Sequence, residues 1–118
     1  MTPQIFMPAS ALTGTDVKNV QGENLGHVKD IVLDTGSNRV SYYVLSFGGI
    51  LSMGDKFFAI PPEAMKLNAT DKCFILNVDK ERLSKAEGFN KDQWPNMADP
   101  AFRSNLYQHY GIADNLAA

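Results

Sequence analysis

Leu25-Gly26-His27-Val28-Lys29-Asp30-Ile31-Val32-Leu33, then Asp34-Thr35-Gly36-Ser37-Asn38, then Arg39-Val40-Ser41-Tyr42-Tyr43-Val44-Leu45-Ser46-Phe47: the two outer runs read as the strands of one β-hairpin. Both are rich in β-branched and aromatic residues, which suit a pleated surface. The middle run holds residues that tolerate positive φ or bond their own backbone, so it reads as the turn. In the second strand, Val40, Tyr42, Val44 and Ser46 alternate with Arg39, Ser41, Tyr43, Leu45 and Phe47. A strand with one wet face would show a clean apolar/polar split. Here both faces are largely apolar, so both are expected to be covered: one by a barrel interior, the other by a further element or another chain.

Working outward, Asp16 to Asn19 reads as a short strand before the hairpin, with Gln21-Gly22-Glu23-Asn24 as a tight reversal. After it, Lys56-Phe57-Phe58-Ala59-Ile60 is a strand stopped by Pro61-Pro62, because proline cannot donate to a ladder. Glu63 to Asn68 reads as a short turn entering a strand, and Cys73 to Asn77 as the last strand. Six short strands at close turn spacing favour a small closed barrel over an open sheet. Closure would also remove exposed edges. The intervening loop, Gly48 to Asp55, combines three glycines with Ile50, Leu51 and Met53. Large aliphatic side chains in a loop need burial, either closing one end of the barrel or meeting a partner.

The composition shifts after residue 78. Asp79 to Lys85 reads as a short helix with Asp79 as N-cap. Trp94 reads as a loop anchor. Asp99-Pro100 opens a second helix, in which Phe102, Leu106 and Tyr110 share one face and which Gly111 ends. Phe102 and Leu106 are candidates to pack on the outer face of the sheet. The expected organisation is one domain: a barrel over 8–78 and a helical extension over 79–118.

The chain has 118 residues, 44% apolar and 20% charged, with a formal net charge of −2. That charge gives no general pull toward nucleic acid or anionic lipid, so no direct nucleic-acid contact is expected. One cysteine, Cys73, allows no internal disulfide and reads as a buried strand position. The first residues lack a signal peptide's basic and apolar regions, and no apolar run suits a membrane-spanning helix. The expectation is a cytoplasmic protein without a transmembrane segment.

No constellation of catalytic residues emerges. His27 and His109 are far apart in sequence and in no metal-ligand spacing. There is no Gly-x-Ser-x-Gly elbow, and Gly48-Gly49 is not followed by the Lys-Ser/Thr of a phosphate loop. Asp30 and Asp34 on one strand face would lie ~13 Å apart, too far for a paired-carboxylate hydrolase. Asp30 reads instead as tied to backbone near the hairpin. Neither cofactor, metal site nor enzymatic activity is expected.

In order and spacing these pieces resemble the PRC-barrel family. The carrying residues are Leu12-Thr13-Gly14 with Asp16-Val17, Gly22-Glu23 with Leu25-Gly26, Val28-Lys29-Asp30-Ile31, Gly48-Gly49 and Lys56-Phe57-Phe58-Ala59-Ile60-Pro61. Phe74-Ile75-Leu76 leading to Lys80-Glu81-Arg82-Leu83 and then Trp94-Pro95 is similar to the extension of stand-alone members. The resemblance implies a six-stranded β-barrel that serves as a protein-contact module, with no catalytic residues to transfer. The family includes the cytoplasmic domain of the photosynthetic reaction-centre H subunit and the C-terminal domain of the ribosome maturation factor. From residues and resemblance together, the expected function is a non-enzymatic interaction or assembly module that forms a homodimer. Its candidate surface is Tyr43, Leu45, Ile50, Leu51 and Met53, and its physiological protein partner is unspecified. A ribosome- or RNA-processing-associated accessory factor is the second reading.

Overall fold

The computed structural model describes residues 6–47, 56–68, 70–86, 88–90 and 92–112. The organising hairpin forms as read, from β2 (Asn24–Asp34) and β3 (Arg39–Phe47). Its turn is held by the Asp34 carboxylate, which accepts from the backbone N–H of Gly36 at 2.9 Å and of Ser37 at 3.3 Å. Asn38 takes φ 59°, a left-handed conformation that asparagine tolerates. Around the hairpin lie β1 (Asp16–Lys18), β4 (Lys56–Ile60), β5 (Met65–Asn68) and β6 (Cys73–Leu76) in one mainly β, six-stranded sheet of order β4-β3-β2-β1-β6-β5. All pairs are antiparallel except β1 with β6. A single helical turn, α1 (Ala9–Leu12), precedes the sheet.

The alternation on β3 sorts side chains onto two faces. Leu45 lies across from Val28 and Phe58, and Tyr43 from Ile31 and Ile60. These residues join Val17, Leu25, Phe74 and Leu76 in the inner core. A bulge at Lys29 shifts the phase of β2, which is why Val28 and Ile31, three positions apart, both belong to that core. Tyr42 instead belongs to a second, separate cluster with Ala59 on the opposite face. At Gly26 the β3 backbone lies close against β2. The glycine φ is 134°, and a Cβ placed there would sit 2.0 Å from the Ser46 carbonyl oxygen. Only glycine meets both demands.

The sheet does not close. It curls through 189° as an open half-barrel, and its end strands β4 and β5 are not paired. The expected closed barrel fails for a local reason. Closure would seat β5 on the free edge of β4, but Phe89 is already there. The Phe57 N–H donates to the Phe89 carbonyl at 2.9 Å, and the Phe89 N–H returns to the Phe57 carbonyl at 2.8 Å. On the other side, a 3-10 turn (Pro62–Ala64) leads straight into β5, and the Met65 N–H is spent on the Pro62 carbonyl. The open side is filled by side chains instead. α2 (Lys80–Ser84), capped by Asp79 accepting from the Arg82 N–H at 2.6 Å, sends Leu83 into the inner core, and Ala86 follows.

α3 (Pro100–Tyr110) covers the outer face. Asp99 caps its start by accepting from the Ala101 N–H at 2.9 Å, and Gly111 ends it at φ 67°. Phe102 and Leu106 meet Tyr42 and Ala59, as their spacing suggested. The Tyr42 and Phe102 rings stand edge to face at 5.7 Å.

Candidate interaction surface

The five residues expected to form a contact surface fare differently. Leu45 is 0% exposed and belongs to the inner core, so it presents nothing to a partner. Tyr43 is half-buried against the same core, its ring 5.1 Å from that of Phe74. Two apolar faces were legible on β3, but alternation cannot say which one points inward. The partners across the sheet decide it, and they put Tyr43 and Leu45 inside and Tyr42 outside. Ile50, Leu51 and Met53 lie outside the described residues.

The structure exposes a different apolar pair. β1 pairs with β2 only over Asn24 to His27, and β4 pairs with β3 only from Tyr43 onward. The far half of the hairpin, 29–34 with 39–42, is therefore two-stranded; Ile31 still packs on the inner core and Tyr42 lies under α3, so only its end overhangs as an arm. Near its end Leu33 and Val40 lie directly opposite one another, 56% and 37% exposed. The signal was present in the sequence as unequal lengths: β2 and β3 run 11 and 9 residues beside a β1 of 3 and a β4 of 5. Strands longer than their neighbours must protrude.

The backbone edges are guarded against strand addition. On the arm, the Ile31 N–H is taken by the Asp30 carboxylate at 2.9 Å, which fulfils the backbone role read for Asp30. Bulges at Lys29 and Ser41 break the regular ladder. β4 is occupied by Phe89, and β5 is short and carries an exposed Lys66. Contacts made through side chains, such as the Leu33–Val40 pair, remain open to a partner. Phe6, Met7, Val20 and Trp94 are exposed as well; the Trp94 ring is tilted against that of Phe89 at 5.1 Å and so anchors its loop.

The polar residues singled out in the sequence lie apart from one another. His27 lies across the β1–β2 ladder from Asp16, in a groove of about 300 Å³ that also has Asn24, Phe47 and Lys80 in its walls. Cys73 is buried, as read. Among the described residues no three His, Cys, Asp or Glu side chains gather where a metal ion could be held. No helix among the described residues is long and apolar enough to cross a membrane. The hydroxyl of Tyr110 is buried without a hydrogen-bond partner among the described residues, and burial pushes its pKa well above the ordinary tyrosine value.

A curled, half-open six-stranded sheet with a helical cover defines a small β-domain. The PRC-barrel domain family matches residues 5–83, and the chain belongs to that family. Membership implies a small protein-interaction or assembly module. No curated protein matches the chain.

Proposed function

We propose that the protein is a non-enzymatic interaction and assembly module that self-associates through exposed apolar side chains. The observation that carries this reading is the opposed, exposed Leu33–Val40 pair at the end of the hairpin arm, where two bulges interrupt the ladder and the Asp30 carboxylate takes the Ile31 N–H. Ile50, Leu51 and Met53, read from the sequence as contact residues, are the second contributor. The arm pair alone is a small patch against the ~1,200–2,000 Å² of a standard interface. Association is therefore weak and concentration-dependent unless the loop residues join it. A net charge of −2 supports a protein rather than a nucleic acid as the other surface, in a cytoplasmic setting.

Sedimentation velocity over a wide concentration range tests this. A reversible monomer–dimer shift is expected, diminished by Leu33→Glu and by Leu51→Glu. A chain that stays monomeric at every concentration overturns self-association.

A further inference from the structure

The outer face of the sheet is covered by α3, but the cover is built differently from the core beneath. Most of its apolar contacts form their own cluster, Tyr42, Ala59, Leu106 and Tyr107; Tyr110, at the end of α3, also packs against the inner core. Lifting α3 would withdraw Tyr110 from the edge of the inner core and leave its fully buried residues, all on the sheet, α2 and the segments joined to them, in place. The matched family segment ends at residue 83, before α3 begins. Between them, 85–99 carries no helix or strand among its described residues beyond the Phe57–Phe89 bridge. α3 itself is 11 residues long, too short to hold its shape alone in water.

Two polar ties fasten the cover. The Tyr107 hydroxyl donates to Glu63 Oε2 at 2.6 Å, on the 3-10 turn. At the other end, the Arg82 guanidinium on α2 donates to the carbonyl of His109, and His109 Nε2 lies 3.3 Å from the Arg82 carbonyl. Against these stands the Tyr110 hydroxyl, which docking buries without a hydrogen-bond partner among the described residues.

We propose that α3 is a displaceable cover, and that the face beneath it receives an amphipathic helix with the same aromatic-x-x-x-Leu-Tyr stripe as Phe102, Leu106 and Tyr107. The occupant is identified by fit: the face already seats such a helix, with the Tyr42 ring edge against an aromatic and Ala59 leaving room for the leucine beside it. A partner helix binds only when the cis helix is off, so its apparent affinity is lowered by the fraction of time the cover is closed. This rests on the interaction-module reading, but on a different surface from the hairpin arm.

Two measurements on the full chain test it. Native-state hydrogen exchange followed by mass spectrometry is expected to show 100–110 exchanging through openings that leave β3 protected. Arg82→Ala or Tyr107→Phe should speed that exchange on the order of tenfold without moving β3. A cover that exchanges only together with β3, in the wild type and both variants, overturns the proposal. The second probe is a fluorescein-labelled synthetic peptide spanning 97–112. It is expected to bind saturably, several-fold tighter to Arg82→Ala than to the wild type, and to lose binding when its Phe102 and Leu106 are replaced by alanine. No saturable binding, or equal binding of the alanine peptide, overturns it. Sedimentation of the Leu33→Glu and Leu51→Glu variants reports on the arm and loop separately, so either reading can fail while the other stands.

Discussion

The Tyr107 hydroxyl reaches across 44 positions of sequence to donate to Glu63 Oε2 at 2.6 Å, and accepts from the Arg103 guanidinium at 3.0 Å. The arginine also lies over the tyrosine ring, 4.4 Å from its centroid. One phenol thus ties the C-terminal helix to the turn that joins the two ends of the sheet.

Tyr107→Phe removes that tie and keeps the ring. Glu63 is exposed and can turn to water, so its loss of partner is mild. The expected destabilisation is ~1–2 kcal/mol, read by urea denaturation. Glu63→Ala should reproduce most of it, and the double variant should be less than additive because the two groups share one bond.

Two glycines with positive φ separate strain from crowding. Gly14 has φ 86° and nothing within 4 Å of a Cβ, whereas Gly26 has φ 134° and the Ser46 carbonyl oxygen at 2.0 Å. Gly14→Ala is expected to cost ~1–2 kcal/mol from backbone conformation alone. Gly26→Ala must also part β2 from β3 and is expected to exceed ~3 kcal/mol or abolish folding. Thermal melts of the two variants make the comparison.

The hairpin turn should be acid-sensitive. The Gly36 N–H, then the Ser37 hydroxyl and N–H, hold the Asp34 carboxyl below its ordinary value of 3.8. A depressed folded pKa means that the unfolded chain takes up its proton first as pH falls. The contribution is present above the ordinary value and lost as pH drops through the folded one. Asp34→Ala should lower Tm at neutral pH and change it little at about pH 2.

Tyr110 gives the opposite pH limb. Burial raises its pKa above the ordinary 10.0, outweighing the lowering pull of Arg82. A raised folded pKa contributes stability below about pH 10 that is lost as pH climbs toward the folded value. Tyr110→Phe should soften that alkaline loss. Because the hydroxyl is buried without a partner among the described residues, the variant should also gain ~0.5–1 kcal/mol at neutral pH. A loss of stability in this variant would mean that the hydroxyl has a partner.

Leu33 and Leu45 test the assignment of surface and core. Leu45→Ala, deep in the inner cluster, is expected to cost ~2–5 kcal/mol. Leu33→Ser, on the exposed arm, should stay within ~0.5 kcal/mol in denaturation, while weakening self-association in sedimentation.

The local chemistry of the chain was legible because it is short-range. Asp79, Asp99, Gly111 and the 34–38 turn act where they stand, through bonds to residues a few positions away. The packing of Phe102 and Leu106 on the sheet was also readable, since their helical spacing makes one face. What escaped were choices made across the sheet. Tyr42 and Tyr43 are chemically alike, and only Ala59 opposite one face and Ile60 opposite the other decide which lies outside. Closure likewise turned on Phe89, an irregular residue whose pairing with Phe57 no periodicity announces.

Phe89 has a practical consequence. It lies beyond residue 83, where the recognised family segment stops. A fragment cut at that point would bare the Phe57 amide and carbonyl and strip the helix from Tyr42 in the same stroke. Such a trimmed version should be sticky and poor to store. The unit worth expressing runs through Gly111, whatever the homology border suggests.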